Sequence, residues 1–337
     1  MKYFAGLDVS LKTTSICIMT PQGEIIRQGV TETDPKVIAA WLREGGRRYH
    51  RVGLEAGSTS MWLYGGLAKA RLPVVCMEAR HAHSILSTRL NKTDRNDARG
   101  LADLLRTHLF RAVHVKSQSS QTLRALLTAR RLLMTKLMDL ENGIGGLLRS
   151  VGQKLGKPSR KLFDLKVRAC LKAVPELEGC IGALLAVRNE VWAQYNRLHE
   201  RVVAATNADA VCRRLMTIPG VGPLTAITYR VTIDVPERFA RSRSVGAHLG
   251  LTPRTYQSGD SDRRGRMSRA GDRECRSTLW IAAVAILNPR CRPSPLKAWT
   301  LAVAERRGKM KAIGATARRL AVLMHRIWID GTEYRSA

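Results

Sequence analysis

The chain has 337 residues, with 57 Lys+Arg against 27 Asp+Glu, a net charge of +30 and a pI near 10.9. An apolar fraction of 45% supplies core for two or three domains and excludes a disordered polycation. So large a positive charge on a folded chain points to a polyanionic partner, with nucleic acid first. Aromatic residues make up only 5%, too few for a broad base-stacking platform. The longest apolar stretch, 279–287, is far short of a membrane span. The N-terminus reads as a strand and not as an export signal, so a cytoplasmic location, nucleoid-associated when nucleic acid is bound, with no membrane attachment is expected. The seven cysteines (17, 76, 170, 180, 212, 275 and 291) contain no C-x-x-C, which excludes a zinc ribbon and argues against a disulfide framework. His81 and His83 have strand-like spacing but no neighbouring ligand partners.

Strand signals cover 3–9, 15–20 and 24–31, the last two separated by the turn Pro21-Gln22-Gly23. A helix over 35–43, a strand over 51–56, a helix over 60–70, a strand over 73–78 and a helix from about 93 to 107 follow. This order, a three-strand meander and then crossover units, predicts a mixed sheet with helices on both faces. In the middle third, positions 123, 126, 130, 133, 137, 140, 144, 147 and 151 are apolar except Arg130. Positions 177, 181, 184, 188, 191, 195, 198 and 202 repeat the pattern with Arg188 as the exception. A sustained 3.5-residue period keeps one seam turned toward a partner helix. The seam serves an intramolecular hairpin turning through 152–159, a dimerisation arm, or both.

The last third is helical and arginine-rich, with helices expected near 273–287 and 313–328. A Pro219-Gly220-Val221-Gly222 turn resembles a helix-hairpin-helix, in which glycines let backbone N–H groups approach a phosphate; a plain interhelical turn is the simpler reading. The segment 238–276 carries ten arginines and reads as irregular. A solvated face explains such a run, but the overall charge favours phosphate binding, with Gly220, Gly222, Arg254, Arg263, Arg264 and Arg266 as the candidate contacts.

Clustered carboxylates need an explanation in so basic a chain. Asp8 lies within the first strand, where a charge is unwelcome, and Glu55 ends the fourth. Asp94 and Asp97 open a helix at a spacing that puts them on one face, near a dipole end that favours anions. Singly, Asp8 is a strand-edge acid and Asp94 a helix cap. Jointly, the four predict a convergent carboxylate site for Mg²⁺ or Mn²⁺, suited to phosphodiester cleavage.

Those motifs resemble a known family. Gly6-Leu-Asp-Val-Ser10, Leu54-Glu-Ala-Gly57 and Asn91-Lys-Thr-Asp-Arg-Asn-Asp-Ala98 are similar to the four-acid motif of the DEDD transposases of insertion sequences related to the Piv DNA invertase, described as bridge-RNA-guided recombinases. Ile218-Pro-Gly-Val-Gly222 and Leu249-Gly-Leu-Thr-Pro-Arg-Thr-Tyr-Gln-Ser-Gly259 resemble that family's C-terminal domain. The resemblance implies a RuvC-like, RNase-H-fold domain over 1–110, a coiled-coil helical arm over 111–207 and a helical transposase domain over 208–337. It implies catalytic Asp8, Glu55, Asp94 and Asp97, with the same acids holding the metal, and Ser258 as a nucleophile forming a phosphoserine–DNA intermediate. It implies double-stranded DNA as substrate, a structured noncoding guide RNA, and a homodimer or homotetramer. Asp260 and Asp262 depart from the neutral stretch expected after Ser258, and Ser261 and Ser268 are rival positions. A junction-resolving endonuclease using water and the same acids is the nearest alternative. A sugar-kinase-like ATPase lacks its second glycine motif here, and a non-enzymatic nucleic-acid scaffold would have no need of the acids.

Overall fold

The computed structural model describes residues 2–87, 93–259 and 261–335. They form two compact units, Met1–Lys116 and Ser117–Ala337.

The first unit contains β1 (Lys2–Val9), β2 (Thr13–Met19), β3 (Ile25–Glu32), α1 (Pro35–Arg43), β4 (Arg48–Glu55), α2 (Ser60–Lys69), β5 (Val74–Met77), α3 (Ala79–Leu86) and α4 (Asp94–Arg106). The sheet order is β3-β2-β1-β4-β5, antiparallel through β3-β2-β1 and parallel through β1-β4-β5. This is the mixed α/β sheet that the meander and crossovers predict. Helix α3 is an addition, hidden in the sequence by the polar run Arg80-His81-Ala82-His83-Ser84.

Alternation along the strands sorts the two faces. Ala5 and Leu7 of β1, with Ile16 and Ile18 of β2, pack on Ile38 and Leu42 of α1 and Leu63 and Leu67 of α2. Each such fully buried Leu or Ile contributes about 1.5–3 kcal/mol. The opposite face takes α4, whose Leu101, Leu104 and Leu105 cluster with Phe4 and Met77. Helix α1 starts at the Asp34 cap, which accepts from the backbone of Lys36 and Val37, and has Pro35 in its first turn. The unit extends past residue 110 because the chain returns along β5: Glu78 N–H donates to Arg111 O at 2.9 Å and Val113 N–H to Cys76 O at 2.8 Å.

The second unit contains α5 (Gln118–Ser150), α6 (Phe163–Leu171), α7 (Glu178–Ala208), α8 (Ala210–Leu215), α9 (Pro223–Ile233), α10 (Arg243–His248), β6 (Pro253–Ser258), β7 (Ser261–Met267), α11 (Arg273–Leu287), α12 (Pro295–Arg307) and α13 (Lys309–Asp330). Helices α5 and α7 pack antiparallel. Arg130 reaches His199 and Tyr195, whereas Glu141, further along α5, meets the earlier Arg188 at 2.6 Å. Of the expected seam, Leu137 and Ile144 are buried. Toward the C-terminal end burial moves from position 147 to Leu148, as a 3.6-residue helix drifts off the 3.5 repeat, and toward the other end it falls on Leu127, not 126, where the helix joins the C-terminal core. The turn expected over 152–159 is longer. It includes α6, whose Phe163, Val167 and Leu171 close a small core with Ile144, Leu148, Ile181 and Leu185.

The base of this hairpin shares one core with the C-terminal helices. Leu127 and Val202 cluster with Leu215, Ile227, Leu279 and Leu320, so the expected arm from residue 117 onward lies in the same unit as 208–337, and its first residues, 111–116, belong to the first unit. Asp234, buried and left-handed at φ 64°, fixes the junction. It accepts from Ser117 N–H at 2.9 Å, Ser117 Oγ at 2.6 Å and Ser120 Oγ at 2.5 Å.

Candidate active site

In the first unit the site is built on two glycine–acid repeats. Gly6 and Gly53 are paired in register on the parallel strands β1 and β4, and Leu7 and Leu54 are the next pair. Asp8 and Glu55 follow, each two residues past its glycine and on the same face of the sheet. That face carries α4. A Cβ on Gly6 would lie 2.2 Å from Ala98 O and 2.3 Å from Ala102 N, and one on Gly53 would lie 2.6 Å from Leu105 Cδ1. The glycines let the helix lie against the strands, and the two acids follow on neighbouring strands, whose backbones run about 4.8 Å apart.

Helix α4 begins with Thr93, whose side chain accepts from Asn96 N–H. Asp94 and Asp97 precede Ala98 and Leu101 by one turn, so they continue the stripe that faces the sheet. Arg95 Nε donates to Gln28 Oε1 of β3 at 2.8 Å, which sets this end of the helix over the meander. Cys17, opposite Gly6 on β2, has its thiol pushed up by burial and supplies no thiolate beside the acids. Two of the four predicted acids therefore stand side by side, and the other two lie on the helix crossing the same face. Among the described residues no three His, Cys, Asp or Glu side chains stand together as a ready-made cage for one ion. Asn91 and Lys92 of the predicted motif lie outside the described residues.

In the second unit the segment 238–276 is not irregular. It contains α10 and the antiparallel hairpin β6–β7, in which Ser258 pairs with Ser261 across a two-residue turn. Gly259, at φ 54°, takes the left-handed position such a turn requires. Ser258 is exposed at the hairpin tip. Alternation puts Arg254, Tyr256 and Ser258 on one face; Arg263 faces Tyr256 across the ladder and shares that face, whereas Arg266 lies where the register shifts between the Arg264 and Met267 pairs, so alternation assigns it to neither face. Arg264 pairs with Thr255, and its side chain, like residue Asp260, lies outside the described residues. Ser268 lies beyond β7, where its N–H donates to Thr252 O.

Gly220 is left-handed at φ 80°, and a Cβ there would approach Ile286 Cγ1 to 2.7 Å and Ala282 O to 2.8 Å. Close packing on α11 thus accounts for Gly220. Gly222 caps α9 with open space around it. Gly6, Gly53 and Tyr256 stand within or beside the sequence motifs but carry no role there, although the repeated Gly-Leu-acid pattern (Gly6-Leu7-Asp8, Gly53-Leu54-Glu55) is visible in the sequence.

Residues 5–152, which include all four acids, match the DEDD transposase model of the IS110 type, and residues 212–298, which include Ser258 and the candidate arginines, match the model described as transposase IS116/IS110/IS902 family. The chain belongs to the IS110/IS116 family of DEDD transposases. This transposase is 28% identical, over 98% of its own length and 90% of the relative's, to the transposase of insertion sequence element IS1111A from Coxiella burnetii. It is 29% identical to a putative transposase of Sinorhizobium fredii (73% of this chain, 65% of that one) and 26% identical to a probable family 20 transposase of Pseudomonas aeruginosa (73% and 74%). Its likeness to the structure of T. thermophilus RuvC in complex with a Holliday junction substrate is 12% identity at a TM-score of 0.26, over 34% of this chain and all of that one. As a transposase it is an enzyme that cleaves and rejoins DNA. The DEDD family implies a divalent metal ion, and carboxylates are the hard oxygen donors that suit one, although among the described residues no three of them are gathered around one point. Among the described residues no helix is long and apolar enough to cross a membrane.

Proposed function

We propose that this transposase excises and inserts an insertion sequence by a phosphoserine–DNA route. Ser258 Oγ attacks a DNA phosphorus, losing its proton, and the departing deoxyribose oxygen takes one up. The ester keeps the phosphodiester energy, so attack by a new hydroxyl end re-forms the DNA backbone and frees the serine. Arg254 and Arg263 stabilise charge on the phosphoryl oxygens. Asp8, Glu55, Asp94 and Asp97 hold the ion, Mg²⁺ or Mn²⁺, which when bound supplies Lewis-acid stabilisation of the phosphate. As the family resemblance implies, one subunit's acids serve another's serine in a homodimer or homotetramer. A structured RNA from the element pairs with donor and target DNA, and the protein reads its shape and backbone.

The observation that carries this reading is Ser258 exposed at the tip of a hairpin with Arg254 and Arg263 on its face. The test is a denaturing gel of full-length protein with Mg²⁺, element-end DNA and RNA transcribed from the element's flanks. A covalent protein–DNA species is expected in the wild type, lost in Ser258→Ala and in Asp8→Asn. Continued cutting by Ser258→Ala, with no covalent species in either protein, makes water the nucleophile and defeats the proposal.

A further inference from the structure

The second unit contains a cavity of about 680 Å³ between α11, α12 and α13, at the foot of the β6–β7 hairpin. Its walls are the half-buried rings of Trp280 and Trp299, and three cations, Lys311, Arg318 and Arg319, line it with no acid among them. Arg319 lies over the Trp299 ring at 4.4 Å. The cavity stays open because α13 presents Gly314 and Ala315 to it; a Cβ on Gly314 would already come within 3.2 Å of Met267 Cε. The paired residues Pro253 and Met267 form its edge and are also the base of the strands that end at Ser258. Pro253 and Ser258 are five residue steps apart along the strand, about 17 Å, or about five steps of stacked B-form DNA.

We propose that this cavity holds one nucleobase unstacked from DNA that lies along the β6–β7 hairpin. An apolar slot with two indoles accepts any base by its π-face. Flanking cations without a competing carboxylate suit the phosphates on either side of an extruded nucleotide. The volume is that of a small-ligand site. The occupant is DNA because the slot is continuous with the serine hairpin of an enzyme that cuts DNA. The inference depends on the family's DNA chemistry and not on the serine route.

Full-length wild-type protein, without divalent ions so that no strand is cut, is titrated by fluorescence anisotropy. The probes are a labelled duplex bearing one unpaired nucleotide and the same duplex with an abasic residue at that position. The base-containing duplex is expected to bind roughly tenfold more tightly, in keeping with one base–aromatic stack. Trp280→Ala and Ala315→Phe are each expected to erase that preference while leaving the abasic affinity unchanged, and Trp280→Phe to keep it. Far-UV circular dichroism checks the fold, and the Trp280→Phe and Trp280→Ala pair decides the matter where Ala315→Phe fails to fold. Equal binding of the two duplexes by wild type overturns the proposal, as does a parallel loss of both affinities in Trp280→Ala. So does an equal preference on an RNA duplex, which makes the occupant RNA. A change of oligomeric state in Ala315→Phe with the preference intact overturns it in favour of a second copy. None of these readouts involves strand cleavage, so failure here leaves the serine proposal standing, and failure of the serine proposal leaves this one.

Discussion

A methyl group at Gly6 would meet the Ala98 oxygen and the Ala102 nitrogen at 2.2 and 2.3 Å, both backbone atoms of a packed helix that cannot swing aside. At Gly53 the obstruction, at 2.6 Å, is the end of the Leu105 side chain, which can. The two substitutions are therefore unequal although the sequence context, Gly-Leu-acid, is the same. Gly6→Ala is expected to cost about 1–3 kcal/mol through overpacking, and Gly53→Ala less. Thermal melts of the two proteins check the order. Because Gly6 is where α4 touches β1, Gly6→Ala also shifts Asp94 and Asp97 relative to Asp8, so strand cleavage should fall further than the melt alone accounts for. Equal melts and equal cleavage for the two variants would mean that α4 is not held by this contact. The pairing shows how a site can be set by residues that touch no substrate: the glycines determine how closely the helix bearing two acids lies against the strands bearing the other two.

The α5–α7 hairpin carries its own polar core. Arg188, 2% exposed, is held by Glu141 at 2.6 Å, by Arg160 O at 2.9 Å, and against the Phe163 ring at 4.7 Å. Glu141→Ala leaves that guanidinium buried without its carboxylate and should cost about 3–5 kcal/mol, whereas Glu141→Leu with Arg188→Met should recover most of the loss; urea unfolding of the three proteins tests this. Nearer the base, Arg130 Nε donates to His199 Nδ1 at 3.2 Å, a bond that needs this nitrogen unprotonated. Burial first, and then the Arg130 charge, hold the His199 pKa below its ordinary 6.5, against a smaller opposing pull from Glu200. A histidine lowered in the folded state takes up protons preferentially in the unfolded state. Its contribution is therefore complete above pH 6.5 and is lost as pH falls below it toward the folded value. His199→Gln should flatten stability over that window and leave the more acidic limb, where Asp164 loses its bond from Asn189, in place. The heptad seam made this hairpin legible in the sequence, and alternation made the five-stranded sheet legible too. The β6–β7 hairpin was hidden for the opposite reason. All six residues of β6 are exposed, so it has no buried face to impose a period, and only the Gly259-Asp260 dipeptide signalled its turn. The four acids were readable as residues, but their separation across a sheet and a helix depends on how α4 docks, which no local pattern encodes.

At the scale of the whole chain, 57 cations and 27 anions leave thirty positive charges that no internal ion pair can neutralise. Like charges at that density oppose compaction, and a polyanion relieves the repulsion. Salt therefore acts in opposite directions on the two equilibria. By screening self-repulsion, with a Debye length of about 10 Å at 0.1 M, it should raise the melting temperature of the free protein. By removing the gain from counterion release, it should weaken DNA binding along a straight line in log affinity against log salt. An interface that neutralises about six phosphates loses roughly 10³ in affinity between 50 and 200 mM. Arg263, on the exposed hairpin face with Ser258, is assigned to a phosphate and not to a base edge. Arg263→Ala should then make the salt slope shallower by about one and weaken all sequences alike. An uncharged loss such as Trp280→Ala should lower affinity for the duplex bearing an unpaired nucleotide without changing the slope. Anisotropy titrations at four salt concentrations separate these cases, and an unchanged slope with altered sequence preference in Arg263→Ala would mean that this arginine reads bases.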